Sequence, residues 1–351
     1  MASYKYSVYN SQNRNNRRNN SGRRSGGGKR KGEYIDPKRF VAVAKPTQAE
    51  DYTPKHKFED FQVESLILDN IKAKGFTVPS PIQDQTIPLG LEGKDVIGIA
   101  NTGTGKTAAF SVPMLHALMS RQNSKALIVA PTRELAQQIE VECRSLAKGS
   151  GLSGAVLIGG AGMGAQLRDL RHNPRIVIGT PGRIKDHIER RTLKLDQFNI
   201  VVLDEVDRML DMGFLPDVST ILKELAPQRQ SFFFSATMDQ KVKTLINTFS
   251  NDPVTVSVKS GDSSDHVNQD IVQYGGNHEK MDMLHDILLR EDVSKVIVFD
   301  ETQRSVEKLS NDLVARGFSA DAIHGGKTQG QRQRALESFK SNRTKVLVAT
   351  D

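Results

Sequence analysis

The sequence predicts an α/β protein made of parallel sheets covered by helices and arranged as two units in series. Two observations carry this: short Val/Ile-rich runs of strand length recur from residue 58 onward, and each is followed by a turn signal and an amphipathic helical period. A third is length, since 351 residues exceed one average domain and suit two.

Strands are predicted at Val96 to Ala100, Lys125 to Ala130, Ala155 to Ile158, Arg175 to Ile178, Ile200 to Leu203 and Ser231 to Phe234. Residues 251–268, NDPVTVSVKSGDSSDHVN, read as loop, and SGDSSD within them is the best linker candidate. A second alternating set follows. Its strands are Asp270 to Tyr274, Lys295 to Asp300, Ser319 to Ile323 and Lys345 to Ala349, and its helices are 279–290, 303–316 and 329–340. The expected organisation is a tail over 1–45, a first domain over 46–255, a linker over 256–268 and a partial second domain over 269–351. Only roughly 80 residues remain for that second unit, fewer than a usual domain holds.

The formal charge of +8 is not spread along the chain. Residues 1–50 hold 12 Lys/Arg against 3 Asp/Glu, and the other 301 residues carry a net charge of −1. The first 32 residues have nine basic side chains and no acidic ones, among much Asn, Ser and Gly. Such a stretch buries too little apolar surface to offset its ordering entropy, so the tail is expected to be disordered. Its Arg and Lys suit sequence-independent, salt-sensitive binding to a polyanion, although a merely solubilising tail has the same composition. A single cysteine, Cys143, excludes an intrachain disulfide and argues for a reducing, cytoplasmic setting. No run approaches the 18 apolar residues of a membrane span, so no membrane association is expected.

The sharpest chemical signal is ANTGTGKT, residues 100–107, between the first strand and a helix. Thr102, Gly103, Thr104 and Gly105 form a turn whose N–H groups suit phosphate oxygens. Lys106 suits the β- and γ-phosphates, and Thr107 suits Mg²⁺. Ala100 stands where the strict P-loop pattern has Gly, so the pattern alone also fits a chance glycine turn. A second acidic site follows 98 residues after Lys106, where the strand 200–203 delivers Asp204, Glu205, Val206 and Asp207. At the carboxyl end of a parallel strand these carboxylates stand where such sheets bind ligands. Asp204 is assigned to Mg²⁺ and Glu205 to activation of a nucleophilic water. By itself the cluster also reads as an acidic helix N-terminus.

Together these two sites resemble those of a DEAD-box RNA helicase of superfamily 2, and the resemblance spans residues 58–351. Phe58 precedes by 17 residues the segment GFTVPSPIQ, 75–83, which resembles the adenine-reading Q motif. PTRELA (131–136), Gly159-Gly160, TPGR (180–183), DEVD (204–207), SAT (235–237), HGGKTQGQR (324–332) and a terminal VATD follow in the family's order. The resemblance implies two RecA-like domains that close on ATP, Mg²⁺ and single-stranded RNA and locally separate duplex RNA. It implies that Phe58 stacks on adenine and that Gln83 hydrogen-bonds its edge. It places Pro131, Thr132, Arg133, Gly159, Gly160, Thr180, Pro181, Gly182, Arg183 and Thr350 along RNA. Ser235 and Thr237 are implied to couple hydrolysis to strand separation through Asp207, which joins Lys106, Asp204 and Glu205 as catalytic machinery. Taken singly, Thr180-Pro181-Gly182 also reads as a turn, Ser235 or Thr237 as a helix cap, and Gly159-Gly160 as a strand end.

Three departures follow. Val206 replaces the family's usual Ala, with a functional site still expected, and Gly326 stands in place of the usual Asp. The chain also stops inside the VATD motif, before the family's arginine-rich segment. The expectation is therefore a monomeric helicase fragment that binds ATP and RNA with low ATPase activity. The alternatives are a non-catalytic RNA-binding module or a DNA-directed helicase of the same superfamily. The particular RNA and any protein partners are not encoded legibly.

Overall fold

The computed structural model describes residues 41–44, 52–258 and 267–350. The expected disordered tail, apart from 41–44, and residues 259–266 of the expected linker lie outside the described residues. Among the described residues no helix is long and apolar enough to cross a membrane.

The architecture is α/β with parallel sheets, as the alternating pattern predicts. The larger sheet has seven strands in the order β3-β4-β2-β5-β6-β1-β7. These are β1 (Val96–Ile99), β2 (Ala126–Val129), β3 (Gly154–Leu157), β4 (Ile176–Gly179), β5 (Ile200–Leu203), β6 (Gln230–Ser235) and β7 (Val254–Ser257). Every pairing is parallel. A parallel sheet hides both faces, so its central strands read as unbroken apolar runs: IVVL in β5 and ALIV in β2 are buried at every position.

Consecutive side chains on a strand alternate between faces, and β6 shows the result. Phe232 and Phe234 enter one core with α1 (Ser65–Ala73), α2 (Pro81–Leu91), α3 (Lys106–Ser120) and α4 (Arg133–Leu146). Phe233 enters the other, with α6 (Pro181–Glu189), α7 (Val206–Asp211), α8 (Leu215–Glu224) and α9 (Gln240–Phe249). A further helix, α5 (Met163–Arg171), lies between β3 and β4. Each of the three rings is fully buried, and burial of such a side chain is worth about 1.5–3 kcal/mol.

The second sheet is smaller, in the order β8-β10-β9, with β8 (Val296–Phe299), β9 (Ala320–Ile323) and β10 (Val346–Ala349) all parallel. It carries α10 (Asn277–Leu288), α11 (Gln303–Ala315) and α12 (Gln329–Lys340). Ile297 and Phe299 of β8 are 51% and 65% exposed.

Two element expectations need correction. Residues 254–257 form β7, paired along its whole length with β1, whereas the sequence there reads as loop. The partner supplies what the short VTVS run lacks by itself. The strand expected over 270–274 does not form. The residue before it, Gln269, makes an isolated antiparallel bridge with Ala42, and among the described residues 270–274 pair with no strand.

Candidate nucleotide site and nucleic-acid groove

Because the seven strands are parallel, their carboxyl ends lie on one edge of the sheet, where ligands bind in open α/β folds. Six of the chemistry-bearing segments leave from that edge. Residues 101–107 follow β1, Pro131 to Ala136 follow β2, and Gly159-Gly160 follow β3. Thr180 to Arg183 follow β4, Asp204 to Asp207 follow β5, and Ser235 ends β6.

The turn after β1 is shaped by glycine. Gly103 has φ +81° and Gly105 has φ +94°, a left-handed region that L side chains rarely adopt. Gly105 caps α3, so the helix begins at Lys106 and its first N–H groups point into the turn. Thr104 Oγ1 donates to Asn101 O at 2.8 Å, while Thr102 and Gly103 are exposed at the tip. Lys106 is 6% exposed, and its Nζ donates to Ala100 O at 3.2 Å. Ala100 therefore contributes a carbonyl, and its buried methyl packs in the core, so the departure from Gly leaves the cradle intact.

Asp204 is 2% exposed and its carboxyl is pushed up to about 6. Burial is the main cause; Lys106 opposes it, and Glu205 and Asp207 add to it. Glu205 donates its N–H to Asp204 Oδ1 at 3.0 Å. It also sits at φ 54°, ψ 54°, a left-handed conformation in a non-glycine residue, and such strain concentrates at functional sites. This backbone turn sends Val206 into the core beneath the sheet, fully buried beside Met209, so its two extra methyl groups do not crowd the carboxylates.

Asp207 ties β5 to β6. Its Oδ2 accepts from Ala236 N at 3.1 Å, Thr237 N at 2.8 Å and Thr237 Oγ1 at 3.0 Å, while Asp207 N donates to Ser235 Oγ at 3.3 Å.

The adenine-directed residues, Gln83 and Phe58, are both buried. Gln83 is 7% exposed; its Oε1 accepts from Ser80 N at 2.9 Å and its Nε2 donates to Gly105 O at 3.1 Å. It caps α2 and braces the glycine turn, leaving one amide hydrogen and one lone pair for a ligand. Phe58 is 3% exposed, and its ring packs 6.4 Å from Phe76 with planes 24° apart. In this conformation the ring is covered by Phe61 and Phe76.

The chain just before Phe58 is held by a hub that the sequence reading missed, Asp84, itself 1% exposed. It accepts from Tyr52 Oη, from Lys55 N at 2.9 Å and from His56 N at 3.0 Å, and it meets His56 Nδ1 at 2.7 Å. Burial pushes its carboxyl up, but these donors together hold it below the usual carboxylate range. The only signal in the sequence was an acid inside an apolar helix. Asp84→Asn is expected to destabilise the fold by about 1–3 kcal/mol, since donors are left unmatched. The contribution of a carboxyl held low is present above its unfolded pKa and is lost as pH falls through the folded value. Thermal midpoints of both proteins should therefore converge in acid and separate at neutral pH.

A second site lies in a groove of about 420 Å³ lined by Pro131, Thr132, Arg133, Gly159, Thr180, Gly182 and Arg183, together with Glu134, Met212, Phe214 and Arg332. Arg133 lies over the glycine turn: a Cβ on Gly160, at φ +74°, would stand 2.3 Å from its Nη1. Pro181 starts α6 and is buried, and Thr132 caps α4 through Leu135 N at 3.2 Å. Met212 and Phe214 were not anticipated, because nothing in MGF marks a groove. Thr350 follows β10 in the second sheet and does not line this groove. Side chains of α12 reach α4: Arg332 pairs with Glu134 at 2.7 Å and Gln329 with Gln137 at 3.0 Å. Gly326 N donates to His324 Nδ1 at 3.2 Å, and a Cβ there would meet Gln303 Oε1 at 2.5 Å.

A glycine turn at a helix N-terminus, a buried carboxylate beside it and an adjoining groove, all at the carboxyl edge of one parallel sheet, make up the site of a P-loop fold. Residues 80–245 match the DEAD/DEAH box helicase family, and residues 279–351 match the helicase conserved C-terminal domain. The chain belongs to the DEAD-box helicase family. It is 44% identical over 296 residues to the ATP-dependent RNA helicase CshA of Listeria monocytogenes, covering 84% of this chain and 57% of that one. It is 42% identical to the DEAD-box ATP-dependent RNA helicase CshA of Bacillus subtilis, covering 84% and 60%. The chain thus spans somewhat over half the length of these relatives. Among solved structures it resembles a DEAD box protein from the hyperthermophile Methanococcus jannaschii, with TM-score 0.56, 35% identity and coverage of 84% and 80%.

Proposed function

We propose that this chain binds ATP with Mg²⁺, grips single-stranded RNA along its backbone, and in this way serves local separation of duplex RNA. The observation that carries the reading is the convergence, beside the Gly159-Gly160 turn, of seven groove residues from three separate segments: 131–133, 159, and 180 with 182–183. Backbone N–H groups, Thr hydroxyls and two arginines suit sugar and phosphate, which positions a strand without reading its sequence.

Within the nucleotide site, Gly103 to Lys106 suit the phosphates and Gln83 suits the base. Thr107 and Asp204 suit Mg²⁺. The donor set fits a hard dication: Asp204 is buried against other carboxylates and undercompensated by Lys106. Among the described residues no group of three or more His, Cys, Asp or Glu converges on one point, as befits an ion held largely by phosphate and water. When bound, the ion neutralises phosphate charge. Glu205, 12% exposed and held by its strained backbone, orients and deprotonates the attacking water, and the Asp207 to Thr237 bonds carry the nucleotide state to β6. A cytoplasmic setting is the accompanying reading, supported by one buried free cysteine.

Fluorescence titration of adenine nucleotide and of single-stranded RNA, each with and without the other, tests the proposal. Mutually enhanced binding is expected. Phosphate release unaffected by RNA would favour the non-catalytic module, and equal competition by single-stranded DNA would favour the DNA-directed reading. Gly160→Ala, which forces Arg133 aside, is expected to weaken RNA about tenfold, the worth of one charge-assisted contact, and to leave nucleotide affinity unchanged. Removing residues 1–45 is expected to flatten the dependence of RNA affinity on salt, because the remaining chain carries no excess positive charge.

A further inference from the structure

Behind the groove lies a buried polar chain that none of the roles above uses. Gln166 of α5 is 3% exposed, and its Nε2 donates to Ile158 O at 3.1 Å and Ala161 O at 3.3 Å, the two carbonyls that flank Gly159-Gly160. That fixes the orientation of the amide, so Oε1 faces outward from the turn. It meets His187 Nε2 at 3.4 Å. His187 lies on α6, the helix that opens with Thr180 to Arg183, and is fully buried.

Facing a carbonyl-type oxygen, Nε2 of the neutral His187 ring carries the proton, which leaves Nδ1 as an acceptor for Thr192 Oγ1 at 2.9 Å, a hydroxyl whose one hydrogen is shared with His187 O at 3.0 Å. Burial, and next the Arg183 charge, push the imidazole below its ordinary value and favour this neutral form. Arg183, one turn before His187, also reaches the same turn, with Nη1 3.4 Å from Ala161 O.

We infer that Gln166 and His187 are positioning residues: they form a buried strut that fixes the separation of the Gly159-Gly160 turn from the amino end of α6, and thereby the spacing of backbone contacts in the groove. The inference rests on the RNA-binding reading for its consequence, but not for the strut itself. Neither side chain reaches the groove surface. Buried polar chains of this kind act through the geometry they impose, because each member left unmatched would be costly.

The test compares His187→Leu, His187→Gln and Gln166→Leu with the parent chain, reading RNA affinity, adenine-nucleotide affinity and amide exchange at 159–161. His187→Leu and Gln166→Leu should weaken RNA about tenfold with nucleotide affinity unchanged, and should speed exchange at 159–161 more than in β2. Gln at 187 keeps an N–H in reach of Gln166 and should restore most of the RNA affinity. Equal losses for RNA and nucleotide, or no rescue by His187→Gln, would overturn the inference. If the parent chain binds no RNA, the functional reading fails, and the exchange measurement alone decides the strut: unchanged exchange at 159–161 would overturn it.

Discussion

Asp204→Asn is expected to raise the thermal midpoint of the chain at neutral pH while abolishing Mg²⁺-dependent binding of nucleotide. An ordinary aspartate near 3.8 is here pushed to about 6 by burial. At about 1.36 kcal/mol per unit, the ionised form costs the fold about 3 kcal/mol. For a unit of roughly 200 residues this is on the order of 6–12 °C. The sign follows from linkage. With the folded pKa raised, the carboxyl stabilises the fold below its unfolded value and loses that advantage as pH rises through about 6. The gain from asparagine should therefore be small at pH 4 and full above pH 7. A gain independent of pH would show that packing, and not buried charge, is responsible. Asparagine keeps the oxygen that accepts from Glu205 N, so local geometry survives while the charge that suits the cation is gone.

The second large effect separates two glycines that look alike in the sequence. Both Gly103 and Gly105 are left-handed, but a Cβ at 103 meets nothing within 4 Å, whereas at 105 it would stand 2.5 Å from Gln83 Nε2 and 2.9 Å from Ser80 Oγ. Gly103→Ala carries only backbone strain, about 1–2 kcal/mol. Gly105→Ala adds overpacking of about 1–3 kcal/mol and pushes Gln83 off the turn. Nucleotide titration should show a modest loss for the first and near-complete loss for the second. Equal affinities would mean that Gln83 does not brace the turn.

These residues also show how much the sequence disclosed. Strands such as IVVL and SFFF were legible because a buried parallel strand has no polar face to disguise it. VTVS was not, since its outer positions are exposed and only the pairing with β1 defines it. The placing of the segments after successive strands was legible from the alternating pattern, whereas a common surface for Arg133, Thr180 and Arg183 was implied only by the resemblance to the family. The burial of Phe58, the Asp84 hub and the inward turn of Val206 were not. Each depends on a backbone direction, set at Glu205 by a left-handed φ and at residues 52–56 by hydrogen bonds from a distant helix, that residue identities do not reveal.

The resting partner of Lys106 is a main-chain oxygen, and this divides the phosphate turn into free and frozen letters. Alanine at position 100 presents that carbonyl while its methyl packs in the core. At position 105 a side chain would meet both the left-handed backbone and the ends of Gln83 and Ser80, so it displaces the brace of the turn. The two positions therefore carry unequal weight in the turn: the alanine at 100 is absorbed by the core, whereas a side chain at 105 falls on the residue that braces the phosphate loop.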